Sequence, residues 1–443
     1  MLWLRISGNL WFLPTVMTGL AIALSVLTII IDDWLIASGQ ARELWFVFGV
    51  GAEGVRGVLS SIAGSIITVT GVVFSITVVA LQLASTQFTP RVLRTFIEDR
   101  ANQLVLGVFI GTFTYALLIL RFVRSESDRV GAFVPSVSVT VAMALAIVSV
   151  GCLIYFINHI AYSISASAVI DRLTRDAVAT AKRAFPREIG EPAVDEGPMS
   201  EQAPHGEPVL VRANDKGYLQ IVQEDALLRL PSETALVIRM EGQIGHFFNS
   251  GDVLASVWML GGPVPDRLAR KVRAAFVLGV EPTGPQDVVL GVTRLVDVAV
   301  KALSPGINDP TTASMCIDGI GEVLIVLGSR AAPHRVRVAD DGRVRLIGQR
   351  PSYEEVVALA FSQIRHYGGA DAAIVLKLLE TIERIGSRVP VKRRASLVQE
   401  ASHVARAAEE HSRDPDDRAR VRRAAERVAT GLASPGISPP PAP

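Results

Sequence analysis

Charge is scarce in this chain. Only 20% of its 443 residues are Asp, Glu, Lys or Arg, against roughly 25% in an ordinary soluble chain. The shortage is uneven. Residues 1–164 hold 9 basic and 8 acidic residues, while 165–443 hold 35 of each. A soluble enzyme of uniform composition is thereby excluded, and the apolar excess falls in the first third. Both parts are near neutral, and the net charge is +1. No long-range steering of a polyanion is expected from such a balance, so nucleic acid is not an expected partner. Cysteine is scarcer still. Cys152 and Cys316 are the two present, too few for a disulfide scaffold and not in a CxxC pair. A reducing compartment is expected for the soluble part. The chain has no P-loop, GxSxG or GxGxxG motif, and none of its 7 His has zinc-ligand spacing. No catalytic constellation, metal or cofactor is expected on these grounds.

What the first third has is long stretches without charge. Between Arg5 and Asp32 lie 26 uncharged residues, between Arg56 and Arg91 34, between Arg100 and Arg121 20, and between Arg129 and Asp171 41, His159 counted as neutral. A spanning helix needs about 20 apolar residues. Four spans are expected, at about 10–31, 60–84, 103–121 and 134–157. The first apolar run is longer than the roughly 7–15 residues of a signal-peptide core and no clear cleavage site follows, so an uncleaved signal anchor is the reading preferred. Trp3, Trp11, Trp34 and Trp45 flank that run, as interface aromatics do.

Four spans place both termini on one side. Counting Lys and Arg near the span ends gives eight on the side of the N-terminus, Arg91 and Arg94 among them, against five on the other. The positive-inside rule then puts both termini in the cytoplasm. Between spans two and three, Arg91, Arg94, Glu98 and Asp99 sit at helical spacing, which suggests a short surface helix. Arg91 and Arg94 are its candidate contacts to anionic lipid.

Span two carries hydroxyls on one side. At 100° per residue, Ser61, Ser65, Thr68, Ser75, Gln82 and Thr86 fall within about 100° of one another. A weakly polar stripe on an apolar helix faces protein or water, not lipid. Two readings follow: a pore-facing lining, or helix packing through small residues, which is the reading preferred. Gly107 and Gly111 in span three form a GxxxG pair suited to close packing.

The rest of the chain reads as a helical extension and linker at 165–208, a small β domain at 209–262, a mostly helical region at 263–432 and a disordered tail at 433–443. The fold class expected is an α-helical four-span bundle with a C-terminal cytoplasmic α+β domain, its β part small and barrel-like and its remainder helical. The spacing Gly245, Phe248, Gly251, Asp252 resembles that of small β-barrels such as the barrel-sandwich hybrid. A lipoyl or biotinyl carrier is not supported, since no lysine lies in a Met-Lys-Met context. Asp340 to Gly342 between short β-runs signals a hairpin. Asp309 before Pro310 is a good N-cap with proline at the first helical position.

One stretch carries a family likeness. Gln286 with Asp287, Leu295 to Asp297, and the run Ala302 to Ala313, with Ser304, Pro305, Gly306, Asn308, Asp309 and Pro310, resemble the bacterial family of predicted membrane proteins called domain of unknown function 2254. The likeness extends to Gln87–Arg94 and Gly107–Arg121. It implies a multi-pass protein with a cytoplasmic domain, and carries no activity, substrate or cofactor. Asp297, Asp318 and Glu322, with Asp309, could converge as a carboxylate cluster for a divalent cation. The alternative, a capping Asp309, a satisfied Asp297 and a solvated helix face, is preferred. Three roles remain in play. The leading one is a homo-oligomeric channel or transport-like protein with a cytoplasmic regulatory domain. Another is a membrane-anchored sensor or scaffold that binds a ligand or partner. An enzyme is the least supported.

Overall fold

The structure is a computed structural model describing residues 11–38, 51–88, 96, 99–124, 133–184, 206–230, 236–259, 262–282, 287–330, 336–338 and 344–433. Outside these fall Arg91 and Arg94, Trp3 and Trp45, most of the linker, the turn at 340–342 and the tail. The chain divides into two compact units, Met1–Ala168 and Val169–Pro443.

The first unit holds four long helices: α1 (Phe12–Ala37), α2 (Ala52–Gln87), α3 (Arg100–Phe122) and α4 (Ser136–Ser163). Each lies on one of the charge-free windows, and α1, α2 and α3 run past one or both of its ends. Backbone hydrogen bonding does not stop at the hydrocarbon edge, so a helix continues until its sequence stops it. α3 is the central helix and packs against the other three. Its GxxxG pair lies against α1, where a Cβ on Gly107 would meet Met17 Sδ at 2.4 Å. Small residues here let two backbones approach.

α5 (Ala166–Ala184) follows after a short break. The second unit then builds two open sheets. β1 (Val209–Arg212), β5 (Val253–Met259), β3 (Leu236–Met240), β8 (Val344–Ile347) and β7 (Val336–Val338) form one sheet in that order. β4 (Phe247–Phe248), β2 (Gly217–Val222) and β6 (Phe276–Gly279) form the other. All neighbours are antiparallel except β3 with β8. Inward residues such as Val211, Leu219, Ile238, Leu254 and Phe276 make one shared core. Among the described residues no closed barrel is shown: the strands make two sheets with separate orders. The larger sheet also draws β7 and β8 from beyond residue 330, pairings that local spacing cannot disclose.

Two short helices accompany the sheets, α6 (Glu224–Leu228) and α7 (Asp266–Ala274). The remaining helices are α8 (Val288–Ala302), α9 (Pro310–Gly328), α10 (Tyr353–Gly368), α11 (Ala372–Gly386), α12 (Arg394–His411) and α13 (Pro415–Ala433). Leu295 of α8 and Ile317, Ile320 and Leu324 of α9 are fully buried among them. Thr174 of α5 lies so close to Gly319 that a Cβ there would meet its Oγ1 at 2.3 Å, so only glycine fits.

Among the described residues, five helices can cross a membrane by length and composition: α1, α2, α3, α4 and α9. The count expected from the sequence was four, and it is corrected to five. α9 escapes a charge-free test because Asp318 and Glu322 interrupt it, yet its other residues are apolar enough to qualify. It is the least hydropathic of the five, and 61% of its apolar window is buried within the protein. With an odd number of candidates, parity no longer places both termini on one side.

Candidate functional site

On α2 the face turned into the bundle is apolar, made of Val55, Leu59, Ala63, Ile66, Val73, Ala80 and Ala84 with Thr77. Ser61, Ser65, Thr68, Ser75, Gln82 and Thr86 are all exposed. None of them is used to pack this unit's own helices. Thr68 and Ser75 donate to carbonyls one turn back, Thr68 Oγ1 to Gly64 at 2.8 Å and Ser75 Oγ to Gly71 at 2.9 Å. Such back-bonding satisfies a hydroxyl within its own helix. Gly57, Gly64 and Gly71 lie on the same side, and a Cβ at any of them would meet nothing within 4 Å. The seven-residue recurrence of these glycines was visible in the sequence and extends the hydroxyl stripe by about one turn. The stripe is thus an open strip of small and polar residues, with exposed Val72 and Val79 filling its gaps, along an otherwise apolar helix.

The inner side of the first unit holds polar residues that sequence reading missed. Asp32, 3% exposed on α1, accepts hydrogen bonds from Val137 N at 2.8 Å, Ser138 N at 2.9 Å and Ser138 Oγ at 2.6 Å. It caps the N-terminus of α4 from another helix, where Pro135 offers no side-chain cap of its own. A carboxylate suits the partial positive charge of that end. Tyr115 of α3 joins the same cluster through Thr28 Oγ1 at 2.8 Å and the Ser138 carbonyl at 3.1 Å. At the other end of α4, His159 Nε2 meets Asp99 Oδ2 at 3.0 Å and stacks on Tyr155. Read alone, His159 looks like a solitary interfacial residue. Its partner lies 60 residues away, and no local signal links the two.

The family-signature loop joins α8 to α9 in the second unit. Asn308 adopts a left-handed conformation at φ 49, tolerated by Asn better than by most residues. This reverses the chain so that Asp309 N donates to the Ala302 carbonyl at 2.8 Å. Asp309 then caps α9, accepting from Thr312 N at 3.0 Å and Thr312 Oγ1 at 2.6 Å. The Thr312 hydroxyl and amide hold its carboxyl below the ordinary value. Pro310 opens the helix. Pro305, Gly306 and Asn308 are exposed, and Ser304 is half-buried. One helix earlier, Asp287 caps α8 through Leu290 N at 2.9 Å. Burial pushes its carboxyl upward despite that bond.

The candidate carboxylates have separate employments. Asp318 is held by Lys377 Nζ at 2.9 Å and Arg384 NH2 at 2.7 Å, both from α11. Glu322 is exposed, Asp297 is half-buried on α8, and Asp309 is the cap just described. Among the described residues, no group of three His, Cys, Asp or Glu is placed to hold a metal ion. Both cysteines are free thiols, Cys316 buried and Cys152 half-buried.

Several long apolar helices around a polar inner cluster define an integral membrane protein joined to a second unit of helices and open sheets. The match to known families agrees. Residues 7–384 fit the family described as predicted membrane protein (DUF2254), and the chain belongs to that family. It is similar to an uncharacterized protein of Mycobacterium bovis, 34% identical over 98% of this chain and 83% of the relative. An uncharacterized protein of Mycobacterium tuberculosis matches at the same identity and coverage. No solved structure matches.

Proposed function

We propose that the protein is a homo-oligomer in a bacterial cytoplasmic membrane, with a channel or transport-like function. In it, α2 from several copies lines or surrounds a common axis, and the second unit regulates the path. The observation that carries this reading is the exposed strip from Gly57 to Thr86. Back-bonded hydroxyls and bare glycine backbone gain nothing from lipid tails, whereas a second helix can approach closely along them or water can line them. The test joins two measurements on protein purified in detergent and returned to liposomes. Cysteines at Ser65 and Ser75, in a C152S background, are expected to cross-link between copies, and the liposomes are expected to pass ions or small solutes. A monodisperse monomer that fails to cross-link and leaves liposomes tight overturns the proposal.

A second reading, a membrane-anchored sensor or scaffold, is favoured by the α8–α9 loop. Its left-handed Asn308 and capped Asp309 hold Pro305, Gly306 and Ile307 outward on a fixed turn, a shape suited to a partner. Cross-linking without any flux, together with loss of partner binding in an Ile307→Asp variant, favours this reading over the first.

A further inference from the structure

α7 carries five ionisable residues in nine, and four of them are basic: Arg267, Arg270, Lys271 and Arg273. Its inner side is fixed by Val272, fully buried, with Leu268 and Ala269 against the sheet core. Arg267, Arg270, Lys271 and Ala274 are exposed. Their spacing of three, four and seven residues puts them on one face of the helix. Arg273 is engaged elsewhere, donating to the Arg212 carbonyl at 2.8 Å.

Several arginines of this unit have an acidic neighbour. Arg384 is paired to Asp318, Arg393 to Glu354, Arg365 to Glu400, Arg420 to Asp417 and Arg422 to Glu409. Arg267, Arg270 and Lys271 differ: among the described residues they form no ion pair or side-chain hydrogen bond. β1, which packs against α7, is the edge strand of its sheet and leaves Val209 38% and Leu210 43% exposed. A row of cations with no acidic partner among the described residues, on a helix packed against a strand with exposed apolar side chains, has the composition that settles at a lipid interface.

We propose that the Arg267–Arg270–Lys271 face of α7 docks on anionic headgroups of the bilayer in which the same chain is embedded. Charge complementarity selects that occupant, and the membrane helices keep the surface permanently within reach, so contact is intramolecular in effect. A basic residue near an anionic surface favours contact by roughly fivefold, and three together by about 100-fold. The contact would couple the second unit to the charge of the membrane.

The test uses the full chain in nanodiscs, with an environment-sensitive fluorophore on Ala274→Cys in a C152S background. In discs with a third of their lipid as phosphatidylglycerol, the emission is expected to shift to the blue and to be quenched by a lipid-borne spin label. In phosphatidylcholine discs neither is expected. Molar salt, where the screening length is about 3 Å, is expected to erase the difference. R267E/R270E/K271E is expected to abolish it, while R267K/R270K, which keeps both charges, retains it and controls for folding. Equal emission in the two kinds of disc, or a response that survives the triple reversal, overturns the proposal. A shift produced by added duplex DNA and not by phosphatidylglycerol also overturns it, by assigning the face to nucleic acid.

Discussion

In the first unit the outward residues include Leu20, Ile30, Ile147 and Ile154, each at least 60% exposed, while Asp32, Tyr115 and Ser138 are enclosed. In the second unit Leu295, Ile364 and Leu378 are enclosed, and Arg267, Arg420 and Glu409 face outward. The inversion follows from the surroundings. Lipid tails are as apolar as leucine, so burying leucine in the bundle gains little, and the specific contacts are small residues and hydrogen bonds. Water rewards burial of the same side chain by about 2 kcal/mol. The units therefore differ in which kind of substitution hurts them.

The sharpest test of this contrast is the polar cluster of the first unit. Asp32→Ala strands two backbone amides and a hydroxyl of α4, and is expected to cost about 3 kcal/mol. Thermal unfolding in detergent, followed separately for each unit, should show the loss in the first unit alone. Leu295→Ala is the mirror experiment. It opens a cavity in the second unit for about 3 kcal/mol and should leave the first unit's transition where it was. Equal damage to both units from either change breaks the comparison.

A smaller effect separates two helix caps of the second unit. Asp309→Ala is expected to cost about 1 kcal/mol of that unit's stability, and Asp309→Asn much less, since asparagine also caps. The two caps titrate in opposite senses. The Asp309 carboxyl is held low in the folded state, so its contribution is present above about pH 4 and is lost as pH falls through the folded value. The Asp287 carboxyl is raised by burial, so its contribution is full below about pH 4 and is lost as pH rises through that higher value. Melting temperatures measured against pH should fall less on the acid side for D309N, and less on rising from acid toward neutral for D287N, than for the native chain. The smallest expected effect is at the surface. Asp417→Asn removes the half-buried partner of exposed Arg420 and should move stability by less than about 0.5 kcal/mol.

How much of this could be read from sequence depended on distance along the chain. The helices of the bundle were legible because a charge-free window needs only its own residues. Gly107 and Gly111 announced close packing by their spacing, and Asp309 with Pro310 announced the start of α9. The fifth apolar helix was hidden by two acids, Asp318 and Glu322, that a strict charge-free criterion rejects. The sheets were misjudged because β3 pairs with β8 across more than a hundred residues, and local alternation cannot tell a barrel from two sheets. Asp32 was legible only as the end of an apolar run. Its role as the cap of α4 appears once Ser138 is brought beside it.

That cap has a consequence for biosynthesis. Asp32 and Ser138 are 106 residues apart, so at about 5–20 residues per second the ribosome needs on the order of 5–20 s to deliver the partner after the acid has emerged. During that interval α1 carries a carboxylate with no helix end to neutralise it, a poor cargo for the membrane interior. The nascent chain must hold that end of α1 at the aqueous boundary, or in the shelter of the insertion machinery, until α4 arrives. The last helix of the first unit thus brings the partner that the first one lacks until then.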